Sequence, residues 1–212
     1  MLIVVLAQNS LDLTITHSLL TQSGKTKKKE RSNKMKTYKD MSEKDIRSIL
    51  SKWDMFFVVE GEAVGKMRPK VSTLNGHASV YTPRKQIVFE NWVRTEYEKA
   101  MELFHPEVHG YLFGKGVPIE IRIQISKRVP SSVSMKKRDK MLYGQIFPVV
   151  KPDIDNVAKS VLDALNKVAF YDDSQVIRLA VFKTYESRDF IAINMREVEP
   201  EVDEDDLAYE EE

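Results

Sequence analysis

Hydrophobic alternation is sharpest between Pro118 and Ser126, where Ile119, Ile121, Ile123 and Ile125 are separated by Glu120, Arg122, Gln124 and Ser126. A period of two puts the isoleucines on one face and the polar residues on the other, which predicts a half-buried strand. Met55–Glu60 is a short apolar run of strand length. Val71–Leu74 and His77–Tyr81 flank Asn75-Gly76, the strongest short-range hairpin signal. Thr82-Pro83 predicts an N-cap and a first-turn proline. The following helix runs to about Phe104, with Phe89, Trp92, Val93, Ala100, Met101 and Phe104 on its apolar side as predicted core. A second helix is expected over Asp155 to Asn166, burying Ala158, Val161, Leu162 and Leu165 at i, i+3, i+4 and i+7. Gln175–Lys183 and Phe190–Arg196 close the pattern as strands joined by the polar turn Glu186-Ser187-Arg188-Asp189. The order β-β-β-α-β-α-β-β predicts an α+β fold, a mixed β-sheet with two main helices packed on it.

Two regions do not follow this periodicity. Residues 127–150 read as a long connection with six basic residues against one acid, Asp139. Such a loop fits a flap over phosphates or a plain mobile insertion. Residues 1–50 read as a basic, weakly structured extension, with eight basic residues and one acid (Glu30) between Lys25 and Lys39. Ser42 to Trp53 could form a short helix opened by the capping signal Ser42-Glu43-Lys44-Asp45. Met35 and Met41 stand as alternative starts. The expected organisation is the extension 1–50, a domain over 51–196 and an acidic disordered tail over 197–212.

Charge sharpens this division. The chain of 212 residues has a net charge of only +1, but residues 197–212 carry ten of its 32 acidic groups and none of its 33 basic ones. Residues 1–196 therefore hold 33 basic against 22 acidic groups, a surplus of eleven. A basic body suits a polyanion binder, and the tail would screen it, mimic its ligand or simply solubilise the chain. There are no cysteines, so any metal must sit on oxygen or imidazole. The histidines (His17, His77, His105 and His109) lack metal-motif spacing and are expected to be structural or exposed. No apolar run reaches transmembrane length, and Met1–Ala7 lacks the basic leader and cleavage site of a signal peptide. No membrane association and a cytoplasmic location are expected.

The candidate chemistry lies in Lys151-Pro152-Asp153-Ile154-Asp155-Asn156, Lys159 and Tyr171-Asp172-Asp173-Ser174-Gln175. Pro152 keeps the approach extended, and two extended residues would point Asp153 and Asp155 to the same side. Lys159 and Asp163 follow at helical spacing on a polar stripe, and Asp172-Asp173 are close enough in sequence to return beside the helix start. Crowded carboxylates need neutralising, and hard oxygen donors select Mg²⁺, or Mn²⁺ as a substitute. Asp-x-Asp can equally cap a helix and Asp-Asp can equally make a turn, so the combination is what is specific.

The segment KPDIDNVAKSVLDALNKVAFYDDSQVIRLAVFK resembles the signature of the RusA family of Holliday-junction resolvases of bacteria and prophages. It has the family's Asp-x-Asp-Asn, a Lys four residues on, Asp-Ala-Leu, and Asp-Asp-x-Gln-Val. The likeness is tight over about 151–185, looser back through the hairpin, and absent from 1–50, 127–150 and the tail. It implies a homodimeric, Mg²⁺-dependent endonuclease that resolves four-way DNA junctions by paired symmetric nicks in recombination, repair or phage DNA processing. Asp153, Asp155 and Asp173 would be metal ligands, Asp172 a further catalytic acid and Lys159 the catalytic amine. Asp163 would pair with Lys159, and Asn156 would cap the helix or else contact the metal shell. Arg68, Lys70, Arg84, Lys85, Lys136, Lys137 and Arg138 are candidate phosphate contacts. The rival readings are a nuclease for other branched DNA, a catalytically idle junction-binding protein, and a phosphohydrolase of small nucleotides.

Overall fold

The computed structural model describes Lys44, Ser48, residues 51–74 and residues 77–200. The chain divides into two compact units, Met1–Ile49 and Leu50–Glu212. Of the first, Lys44 and Ser48 are described, both helical. The basic run 25–39, most of the expected 42–53 helix, and residues 201–212 of the tail lie outside the described residues.

The second unit contains β1 (Met55–Glu60), β2 (Lys70–Leu74), β3 (His77–Tyr81), α1 (Arg84–Phe104), β4 (Ile119–Arg128), α2 (Met135–Leu142), α3 (Ile154–Leu165), a 3₁₀ turn (Asp173–Gln175), β5 (Val176–Glu186) and β6 (Phe190–Glu197). The main sheet has the order β1-β6-β4-β5. β6 is antiparallel to both β1 and β4, whereas β4 and β5 run parallel. The sheet is therefore mixed, and α2 and α3 lie in the long crossover that a parallel pair requires. The fold is α+β, as expected. No helix among the described residues is long and apolar enough to cross a membrane.

One layer of core lies between this sheet and α1 and α3. Ile119, Ile121, Ile123 and Ile125 are fully buried there with Met55, Phe57, Val93, Val157, Val161, Leu165 and Ile193. The other face of β4 was expected to be wet, yet Glu120, Gln124 and Ser126 are also buried. β4 is an inner strand, and tertiary partners satisfy its polar side. Glu120 accepts from Arg196 Nε at 2.9 Å and Arg122 Nε at 3.1 Å. Burial alone would raise its carboxyl, but the two guanidinium groups outweigh that and hold it below its ordinary value. Gln124 donates to Thr184 Oγ1 at 3.0 Å, and Ser126 to the Arg188 carbonyl at 2.6 Å.

Three further expectations shift. α1 starts at Arg84 with Pro83 as N-cap and no side-chain cap, one residue later than Thr82-Pro83 implied. Its buried side is Gln86, Phe89, Val93, Tyr97 and Ala100. Trp92, expected in the core, is 43% exposed. The connection 127–150 is not a plain loop: β4 extends through Arg128, and α2 occupies Met135–Leu142. The hairpin forms as expected, but β2 and β3 make a separate two-stranded sheet.

Candidate nuclease site

α3 begins where Asp153, with an extended backbone (φ −70°, ψ 143°), serves as N-cap. Asp155 is already helical in the first turn. The two carboxylates thus share the start of α3 through a cap and a first-turn position, not through one extended run. Asp153 holds the N-cap position by its backbone alone, because its side chain makes no capping hydrogen bond and is paired with Lys151. Anionic groups here are favoured by the unpaired first-turn N–H groups.

The loop ahead of the hairpin fixes this helix start. Lys66 N–H donates to the Asn156 carbonyl at 2.8 Å. A Cβ at Gly65 would come within 2.9 Å of Asn156 Cβ, so only glycine lets the two backbones approach this closely. Asn156 therefore packs against that loop rather than capping. Lys66 Nζ also joins Glu90 of α1 at 3.2 Å and Asp163 of α3 at 2.5 Å. Burial works against its charged form, but hydrogen bonds and charge from Asp163 and Glu90 prevail and raise the ammonium above its ordinary value. Asp163, expected as the partner of Lys159, is engaged elsewhere. Lys159 is exposed with no carboxylate partner among the described residues.

The second half of the motif leaves from the other end of α3. Arg94 Nε donates to the Ala164 carbonyl at 2.9 Å, satisfying one of the last-turn acceptors. Lys167 then turns the chain with a left-handed φ of 62°, and Asn166 bridges to Phe170. Asp172 caps the 3₁₀ turn in a capping box: its Oδ1 accepts from Ser174 N–H at 3.1 Å, while Gln175 Oε1 accepts from Asp172 N–H at 2.9 Å. The Ser174 side chain and N–H, together with Lys167 at 3.3 Å, hold the Asp172 carboxyl down to about 2. Buried Gln175 donates to the Gly114 and Val117 carbonyls at 2.6 and 2.9 Å, which pins the turn to the loop before β4. Asp173 is left exposed, with no ion-pair partner among the described residues.

The twelve residues of α3 rise about 18 Å from first turn to last. Asp153 and Asp155 are at one end, and the Asp172-Asp173 turn departs from the other. Among the described residues no three His, Asp or Glu side chains form a metal-ligating group. The donors available still fit a hard divalent cation, because Mg²⁺ commonly takes one or two carboxylates and completes its shell with water and substrate phosphate.

The basic candidates occupy two places. Arg68, Lys70, Arg84 and Lys85 are exposed around the base of the hairpin and the start of α1. The first turn of α1 contains no acid, so two cations and unpaired N–H groups face the same solvent, an arrangement receptive to phosphate. Lys136 and Lys137 are exposed and Arg138 half-buried on α2. His105 is engaged with the Asp54 carbonyl at 2.6 Å and His109 is exposed. A cleft of about 650 Å³ lined by Trp53, His105, Arg178 and Arg196 contains none of the motif residues. Sequence reasoning missed Lys66 at the site and gave Lys151 no role there. Lys151 was visible as the first residue of the motif, whereas the role of Lys66 depends on contacts 24 and 97 positions away.

A family model described as endodeoxyribonuclease RusA matches residues 60–196. A protein of Bacillus subtilis (strain 168), described as uncharacterized protein YqaN, is 35% identical over 144 residues, covering 67% of this chain and 95% of the relative.

Proposed function

The chain belongs to the RusA endodeoxyribonuclease family, and from that premise we propose that it is a divalent-cation-dependent resolvase of four-way DNA junctions, acting as a homodimer by paired symmetric nicks. The observation that carries this reading is the division of labour within the motif. Asp163, Asn156, Asp172 and Gln175 hold the frame, whereas Asp155, Lys159 and Asp173 are exposed and unpaired among the described residues. Surface groups of this kind suit a large duplex substrate better than a small nucleotide.

Asp153 and Asp155 would hold Mg²⁺, with Mn²⁺ as a substitute. When bound, the cation polarises the phosphoryl oxygen and offsets charge on the leaving oxygen. Lys159, one helical turn beyond Asp155, donates to the charge that develops on the phosphate. Lys151 neutralises Asp153 in the resting protein and must give up that pairing when the cation arrives. Asp172 acts by positioning Asp173. Since Asp153, Asp155 and Asp173 do not form a metal-ligating group among the described residues, we assign Asp173 to the site of the second subunit, so that each site draws on both chains. Arg68, Lys70, Arg84, Lys85, Lys136, Lys137 and Arg138 would contact phosphates, which position DNA without reading its sequence. A two-fold dimer then presents one site to each of two opposed strands.

The test is cleavage, with Mg²⁺, of a labelled four-way junction beside a linear duplex, a flap and a mononucleotide. Paired nicks confined to the junction support the proposal. Cutting of every branched form points to a broader branched-DNA nuclease, and tight binding without cleavage to an idle junction binder.

A further inference from the structure

Tyr171 is the last residue before the acidic turn, and it is 40% exposed although its neighbour Phe170 is fully buried. Two ammonium groups converge on its ring: Lys167 Nζ is 4.2 Å from the centroid and Lys115 Nζ 5.5 Å. Tyr111 meets the ring edge-on, with centroids 6.0 Å apart and planes at 87°, and is itself 38% exposed. Isolated exposed apolar groups are ordinary. Here, however, two aromatic rings and two amines from separate segments meet at one place, two residues from Asp173.

The backbone bears on this arrangement. Lys167 is the one described non-glycine residue with positive φ, at 62°, a conformation that residues with a Cβ adopt at a cost. That conformation turns the chain between α3 and the buried Ala169-Phe170 pair, with Lys167 N–H donating to the Phe170 carbonyl at 2.9 Å. Its ammonium is left across Tyr171 and within 3.3 Å of Asp172. Lys115 has no carboxylate partner among the described residues. An aromatic face flanked by amines matches an unpaired nucleobase with phosphate on either side. Bases stacked in a continuous duplex hide their faces, whereas a branch point can expose them.

We propose that Tyr171, supported by Tyr111, Lys115 and Lys167, is a stacking platform that takes an unpaired base of the DNA substrate beside the acidic turn. The proposal deepens the DNA-endonuclease reading and rests on it for the substrate class. When a base arrives, Lys167 moves off the ring toward a phosphate.

The test uses the full chain without divalent cation, so that binding is read apart from cleavage. Two probes carry 2-aminopurine: a four-way junction labelled at the branch point, and a single-stranded oligonucleotide. With wild-type protein and Tyr171→Phe, emission on both probes should be quenched on binding. Tyr171→Ala should lose the quenching and bind the single strand about five- to hundred-fold more weakly, with linear-duplex affinity unchanged. Equal quenching and affinity for Tyr171→Ala on both probes would overturn the platform. If wild type does not prefer the junction over the duplex, the junction reading fails, and the single-stranded probe still decides the platform.

Discussion

Asp172 and Asp173 are adjacent acids in one turn, and their surroundings separate their roles. Asp172 is bound to Ser174 and Lys167, whereas Asp173 lacks such partners among the described residues. The acidity of Asp172 gives a prediction with a definite sign. Its folded carboxyl is held down to about 2 from an ordinary value of 3.8. Its contribution to stability is therefore fully present above about pH 4 and is lost as pH falls toward about 2. In urea unfolding at a series of pH values, the gap between wild type and Asp172→Ala should be constant near neutrality and shrink between pH 4 and 2. A gap independent of pH would show that the charge is not what holds the turn. Lys159 permits a complementary experiment. Lys159→Ala should lower cleavage about 10²–10³-fold with DNA affinity nearly unchanged; a loss of affinity alone would make it a phosphate anchor. At this scale the sequence was informative, because every group of the motif keeps its spacing on a turn or helix. The partners that immobilise Asp163 and Asp172 were less legible, since Lys66 lies far away in sequence and Lys167 reaches Asp172 only through a left-handed turn.

Secondary elements with strong local signals were legible, and those defined by distant partners were not. The isoleucine alternation located β4, yet it implied a wet second face that Arg196 and Arg122 in fact cover. α2 was missed because Met135–Leu142 buries only Met141, so no apolar stripe marks it amid its basic residues. In α1 the length and most of the apolar face were legible, with Phe89, Val93 and Ala100 buried, but Trp92 lies outside and Tyr97 inside. The element most critical for chemistry is the start of α3, held by its contact with Gly65. Gly65→Ala would force its new Cβ to 2.9 Å from Asn156 Cβ, an overpacking that typically costs about 1–3 kcal/mol. A lowered melting temperature is expected, together with a fall in cleavage larger than any fall in DNA binding. Unchanged stability and cleavage would mean that this loop does not set the position of Asp153 and Asp155.

The whole molecule combines a basic body, an acidic segment over residues 197–212 and a motif whose acids stand before and after one helix in the chain. The charge pattern and the motif order these acids along the chain, but neither says whether one site draws them from one chain or from two. If each site draws Asp173 from the second subunit, mixing inactive variants should restore activity. Asp155→Asn and Asp173→Asn homodimers should each fail to cut, whereas their heterodimer retains one complete site and should give single nicks. A heterodimer as inactive as its parents would place all three acids in one chain. The most direct measurement of the central claim is Mg²⁺-dependent cleavage of a four-way junction by Asp155→Asn, with junction affinity measured alongside. Neutralising that carboxylate leaves the basic surface intact, so cleavage should disappear while binding persists; cleavage at the wild-type rate would contradict the assigned chemistry.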